Sequence, residues 1–201
     1  IEAKGLNQGG TILIGNDADN GTSPFSIYTD IDSSSVITTD GVLNNQNQIN
    51  PNYVGGFIET SAHTLNLLGT INAGRGGMWL IDPIDYTVDA TAAANIKGQL
   101  DAGTDVTVTT SGSGGYGDIT INSSIVSSTT GGSLSMTADR NILLYASITA
   151  KSISLTSTAA TGVLYTSTSI PYLTAGTGGV TITVNDFNWL NSKKPTFSTT
   201  G

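Results

Sequence analysis

Three short apolar runs lie within thirty residues of one another: Phe57-Ile58-Glu59-Thr60, Thr64-Leu65-Asn66-Leu67-Leu68 and Met78-Trp79-Leu80-Ile81. Gly, Asn or Ser separates each run from the next. Every run is strand-length, and none is long enough for a good helix. The turns between them are too short to hold a crossover helix. Such a chain builds either a hairpin meander or a coil in which each strand lies beside its counterpart one lap later.

The pattern after residue 105 favours the coil. Val106-Thr107-Val108, Ile119-Thr120-Ile121, Leu134-Ser135-Met136, Ile142-Leu143-Leu144-Tyr145, Ile153-Ser154-Leu155, Val163-Leu164-Tyr165 and Val180-Thr181-Ile182-Thr183-Val184 follow in order. Most alternate apolar and hydroxyl residues, so one face turns inward and the other outward. Isolated Ile125, Ile148 and Ile170 trail the longer runs. The spacing suggests laps of roughly twenty residues, within the range of solenoid repeats. A lap of short strands cannot bury its own apolar face, and stacking on the next lap closes the core. Some ten laps about 4.8 Å apart predict a rod about 45–50 Å long. Residues 105–160 are expected to hold the most regular laps, and 16–54 to be looser and loop-rich. Thr91-Ala92-Ala93-Ala94-Asn95-Ile96-Lys97-Gly98-Gln99-Leu100 carries the one helical pattern. Thr91 is its expected cap and Gly103 its expected stop, giving a short helical insertion near 91–101. Asn50-Pro51-Asn52 reads as a turn.

Composition narrows the function classes. Charged residues are 11% and hydrophobic residues 37%, too apolar for an acidic disordered tail. Ser and Thr make up about a quarter of the chain, as strands and tight turns require. A net charge of −8 and a pI near 4.2 argue against nucleic acid and against electrostatic attachment to anionic lipid. No apolar run reaches about 18 residues, so no membrane-inserted helix is expected. The chain holds no cysteine, which suits a cytosolic protein or an exported one that must stay uncrosslinked until it leaves the cell. The chain is expected to be one β-helical piece of a longer protein.

Several segments resemble a known family. Gly55-Gly56-Phe57-Ile58-Glu59-Thr60-Ser61-Ala62-His63, Asn72 through Pro83, and Asp118-Ile119-Thr120-Ile121-Asn122 are similar to the large exoproteins of two-partner secretion, the filamentous-haemagglutinin-like and high-molecular-weight adhesins of Gram-negative bacteria. So are Asn95 through Val108 and Ala138-Asp139-Arg140-Asn141-Ile142 through Ile148. The resemblance spans about residues 50–160, and Ala62 stands where that family commonly has glycine. It implies a right-handed parallel β-helix. It also implies export through an outer-membrane transporter, exposure at the bacterial surface, and roles in adhesion, biofilm or virulence. The expected partners are a host glycan or protein receptor, or an exopolysaccharide.

Candidate sites follow from residue chemistry. Asp17-Ala18-Asp19-Asn20-Gly21 opens like a calcium loop, with carboxylates at alternate positions and a Gly for the turn, but lacks the closing Glu. Asp17 and Asp19 are therefore calcium candidates, with Asp30 and Asp32 as possible further oxygens. Otherwise no cofactor is expected. Among the aromatics, Tyr53, Trp79, Tyr116 and Trp189 are the foremost candidates for stacking on a ligand, with Tyr28, Tyr165 and Tyr172 behind them. Asn20-Gly21-Thr22 and Asn122-Ser123-Ser124 are glycosylation sequons, at Asn20 and Asn122. His63 is the only histidine, which disfavours zinc. A Ser61–His63 nucleophile pair has no Gly-x-Ser-x-Gly elbow beside it. Asp82, Asp85 and Asp89 with Arg75 are the acids and base that a polysaccharide hydrolase or lyase would draw on. The sequence thus reads as a non-enzymatic adhesive rod segment. The alternatives are a carbohydrate-active β-helix enzyme and a calcium-dependent binding module.

Overall fold

The computed structural model describes residues 1–15, 26–41, 50–111, 115–166, 171–189 and 194–200. Its strands fall into successive laps. The first lap holds β1 (Thr11–Ile14), β2 (Tyr28–Ile31) and β3 (Val36–Thr38). The second holds β4 (Phe57–Ala62), β5 (Thr64–Leu67) and β6 (Thr70–Asn72). The third holds β7 (Met78–Pro83), β8 (Tyr86–Val88) and the helix α1 (Ala90–Asp101). The fourth holds β9 (Asp105–Thr109), β10 (Ile119–Ile121) and β11 (Ile125–Val126). The rest is built from β12 (Leu134–Ala138), β13 (Ile142–Leu144), β14 (Ile148–Ser157), β15 (Val163–Thr166), β16 (Tyr172–Thr183), β17 (Asp186–Trp189) and β18 (Thr196–Thr199).

Every ladder between these strands is parallel. A chain that meets itself only in parallel must return to the same end between neighbours. Here it does so by winding, and the fold is a parallel β-helix. One face runs β1-β4-β7-β9-β12-β14-β16, and a second runs β8-β10-β13-β15-β17. β14 and β16 each turn a corner. Ile148–Ala150 continues the third face beside β11, and Ile153–Ser157 opens the next lap beside β12.

Lap length is uneven. Leu134 lies beside Ile153, about 19 residues on, whereas Val106 lies beside Leu134, about 28 on. Thr11 reaches Phe57 only after a much longer excursion. The described residues therefore make seven laps instead of the expected ten, and a rod of about 30 Å along that stack.

Inward positions align in columns. Ile12, Ile58, Trp79, Val106, Leu134 and Ile153 stand one above another, all buried. Ile81, Val108, Met136 and Leu155 form a second column, and Ile119, Ile142 and Leu164 a third. Each such side chain contributes about 1.5–3 kcal/mol by leaving water. Outward positions carry hydroxyl ladders, Thr107-Ser135-Ser154-Thr181 and Thr109-Thr137-Thr156-Thr183. β7 ends at Asp82-Pro83, with Pro83 at its last position opposite Ala62.

The helix is capped two residues earlier than expected. Asp89, not Thr91, accepts from the Ala92 N–H at 2.9 Å. Gly103, at φ +82, follows the helix, and its N–H donates to the Leu100 carbonyl. α1 takes the third-face place of lap three, where the ladder is broken: among the described residues β6 pairs only with β3, and β11 only with β14. Side chains substitute for the missing strand. Asn95 Nδ2 donates to the Leu67 carbonyl at 3.1 Å, and Gln99 binds the backbone at Ile71 and Ala73. On the other side Leu100 O accepts from Gly132 N at 2.7 Å, and Asp101 accepts from Ser128 N at 2.7 Å.

Candidate functional site

The most organised polar cluster lies on one flank, at the corners of laps three, four and five. Asp85 stands between β7 and β8, Tyr116 and Asp118 just before β10, and Arg140 between β12 and β13. The short Gly115-Tyr116-Gly117-Asp118 segment is held by its backbone. Asp85 accepts from Tyr116 N at 3.2 Å and from Asp118 N at 2.9 Å. Gly117 O accepts from Thr110 Oγ1 at 2.8 Å and from Arg140 N at 2.9 Å. Both glycines are required. A Cβ on Gly115 would lie 2.4 Å from Asp85 Oδ2, and Gly117 adopts φ +73.

Arg140 locks the cluster from the next lap. Its Nε donates to Asp118 Oδ1 at 2.8 Å and its Nη2 to Asp118 Oδ2, a forked pairing that fixes the guanidinium plane. Asp118 Oδ1 also accepts from Asn141 N at 3.1 Å. The hydrogen bonds that Arg140 donates to Asp118 push its pKa further up, so the cation is permanent. Arg140 Cζ lies 4.2 Å from the Tyr116 ring centroid. Tyr116 is nevertheless 68% exposed. With one ring face on the guanidinium, the other meets solvent. The result is an aromatic plate backed by a guanidinium, with the Asp85 carboxylate on its backbone, able to stack on a ring through its free face.

The structure treats the other expected site residues differently. Tyr53 is buried, and its hydroxyl donates to the Thr39 carbonyl, so it staples the chain after the Asn50–Asn52 turn. It does not stack on a surface ligand. Trp79 is fully buried in the inward column between Ile58 and Val106, and its Nε1 donates to Thr60 Oγ1 at 3.0 Å. The alternation of β7 placed it inward, which withdraws it as a ligand platform. Trp189 is half-buried and stacks on Phe187, with ring centroids 5.0 Å apart, at the last lap. Asn122 is exposed at the corner after β10. Asp17, Asp19 and Asn20 lie outside the described residues. Asp30 accepts from Asn66 Nδ2 at 2.7 Å, and Asp32 from Ser34 N and Oγ, which lowers its pKa. Among the described residues no group of three or more His, Asp or Glu could hold a metal ion.

The acids weighed for catalysis have separate tasks. Asp82 accepts from Thr109 Oγ1 at 2.8 Å, and burial raises its pKa. Asp85 holds the Tyr116 segment, and Asp89 caps α1. Arg75 donates to the Pro51 carbonyl. His63 is exposed at the corner between β4 and β5, its N–H on Ser26 O. Sequence reasoning picked out Tyr116 but missed its partners. The available signal was Gly115-Tyr116-Gly117-Asp118 with Arg140 one lap later, visible only once lap length is known.

A small crevice of about 80 Å³ opens where the second face is interrupted, between β5 and β8. Leu65, Asn66, Tyr86 and Asp89 contribute to its walls. The Tyr86 hydroxyl is buried and has no hydrogen-bond partner among the described residues. Burial and then the Asp89 charge raise its pKa.

No family model matches the sequence, no curated protein matches it, and no solved structure matches the fold.

Proposed function

We propose that this chain is a rod segment of an adhesive bacterial surface exoprotein, exported through an outer-membrane transporter of the two-partner type. In this reading its work is contact, not catalysis: attachment to host cells, other bacteria or polysaccharide. One observation carries the proposal. Tyr116 is presented at 68% exposure from a segment pinned by hydrogen bonds across three laps. Exposing a large aromatic side chain gives up burial energy, and fixing its backbone removes the freedom it would have in an ordinary loop. Both features suit a surface prepared to meet a partner with little ordering cost. The parallel β-helix supplies the rigid frame, and the resemblance of residues 50–160 to secreted adhesins supplies the setting.

The test is a binding screen of the purified chain against glycan arrays, exopolysaccharides, host-cell surfaces and bacterial surfaces, each with and without calcium. Saturable attachment to one of these supports the reading. Attachment to none, or turnover of a polysaccharide, overturns it.

A further inference from the structure

We infer that the Tyr116 plate is a subsite for an uncharged sugar ring of a polysaccharide. The inference rests on the contact role proposed above and names its ligand and its residues.

Charge selects among sugars. Asp85 and Asp118 bring two carboxylates to the plate against the single guanidinium of Arg140. Asp139 adds another acid at the same corner, next to Arg140 in the chain. The fork to Asp118 already engages Nε and Nη2, so little of the cation is left to balance an incoming anion. A uronate or sialate approaching this flank of an acidic protein meets net repulsion. A neutral pyranose meets none.

Shape selects a ring. The exposed face of Tyr116 is flat and its opposite face is backed at 4.2 Å, so a phenol that swings away gives up its contact with the guanidinium. The C–H face of a pyranose lies on such a surface without losing hydroxyl hydration, because its hydroxyls point sideways. Those hydroxyls meet an acceptor beside the plate. The Asp85 carboxylate accepts, since its bonds to Tyr116 N and Asp118 N leave lone pairs over. Arg140 is also partly exposed, with its side chain 40% accessible.

The crevice beside Tyr86 and the stacked Phe187–Trp189 pair of the last lap are weaker candidates. The first holds little more than water, and nothing in the structure shows what covers the second.

The test compares laminarin and dextran, as neutral probes, with alginate and polygalacturonate, as anionic ones, in titrations of the whole chain. Neutral glycan is expected to bind, and Tyr116→Ala to weaken that binding at least about tenfold at unchanged melting temperature. Tyr116→Phe keeps the plate and is expected to stay within about threefold of the parent. Neutral-glycan binding that survives Tyr116→Ala overturns the subsite and leaves the contact role standing. So does a preference for the polyuronates. Attachment only to protein-bearing surfaces overturns the sugar assignment alone, whereas attachment to nothing overturns both.

Discussion

Gln99 stands in for a strand at Ile71: its Nε2 donates to the Ile71 carbonyl while its Oε1 accepts from Ala73 N at 3.2 Å. One buried side-chain amide thus satisfies two backbone groups, one in β6 and one just after it, on the edge that has no parallel neighbour. Gln99→Leu keeps the helix and most of the volume but leaves both groups buried and unpaired. It is expected to cost about 2–6 kcal/mol, at about 1–3 kcal/mol for each of the two orphaned groups. Urea titration followed by circular dichroism measures this. A loss below about 0.5 kcal/mol, the range of ordinary surface substitutions, would mean that the break is sealed by something else.

The inward columns make a second prediction. Ile121, Leu134 and Leu155 are essentially inaccessible. Ile121→Asn, Leu134→Asn and Leu155→Asn each put an amide into a dry column and should destabilise by about 3 kcal/mol or more. Ser135→Ala, on the outward ladder of the same strand as Leu134, should stay within about 0.5 kcal/mol. Equal effects at positions 134 and 135 would contradict the inward–outward assignment.

Gly117 offers a test of how firmly the Tyr116 plate is held. Its φ of +73 strains any residue with a Cβ. Gly117→Ala should cost about 1–2 kcal/mol. Because Gly117 O receives both Thr110 Oγ1 and Arg140 N, the same substitution should loosen the Tyr116 segment, read as faster amide hydrogen exchange at Tyr116 and Asp118.

Asp82 should make stability depend on acid pH in the unusual direction. Burial raises its folded-state pKa above that of the unfolded chain, only partly countered by the bond from Thr109. Its proton is therefore held more tightly folded than unfolded. The contribution is fully present below the unfolded value of about 3.9 and is lost as pH rises through the folded one. Asp82→Asn, which can still accept from Thr109, should be more stable than the parent at pH 7. That advantage should shrink towards nothing below about pH 4. Thermal melts of both proteins across this range decide it.

Tyr86 acts at the alkaline end. Its pKa is raised by burial, so the folded state resists ionisation after the unfolded chain, titrating near about 10, has begun to lose its proton. Stability should fall as pH rises above about 10 and continue to fall until the folded hydroxyl itself titrates. Tyr86→Phe removes a buried hydroxyl that has no partner among the described residues, and should be neutral or stabilising at pH 7 while losing this residue's share of the alkaline decline. A loss of more than about 1 kcal/mol would show that the hydroxyl has a partner.

The solenoid was legible because alternation has only two registers. Val106-Thr107-Val108 and Leu134-Ser135-Met136 fix their own inward face, and like triplets stack. Trp79 shows where this stops. Its strand alternates too, but Met78-Trp79-Leu80-Ile81 is apolar throughout, so pattern alone did not say which side faced in. The decisive contact is with Ile58 and Val106 in neighbouring laps. Tyr53 was misread for a similar reason: its partner, the Thr39 carbonyl, belongs to the first lap and carries no side-chain signal. The helix was visible from its alanines, yet its role was not. That role depends on Asn95 and Gln99 meeting strand edges far earlier in the chain.

The interruption between the second and third laps has a mechanical side. A rod held at both ends carries load through its laps in series, and it yields where the crossing bonds are fewest. Here the second-face ladder stops, and across the gap the backbone pairing of β4 with β7 works beside the side chains of one helix. Tension along the axis should therefore open the rod first at this joint, peeling α1 from β6 while the later laps stay wound.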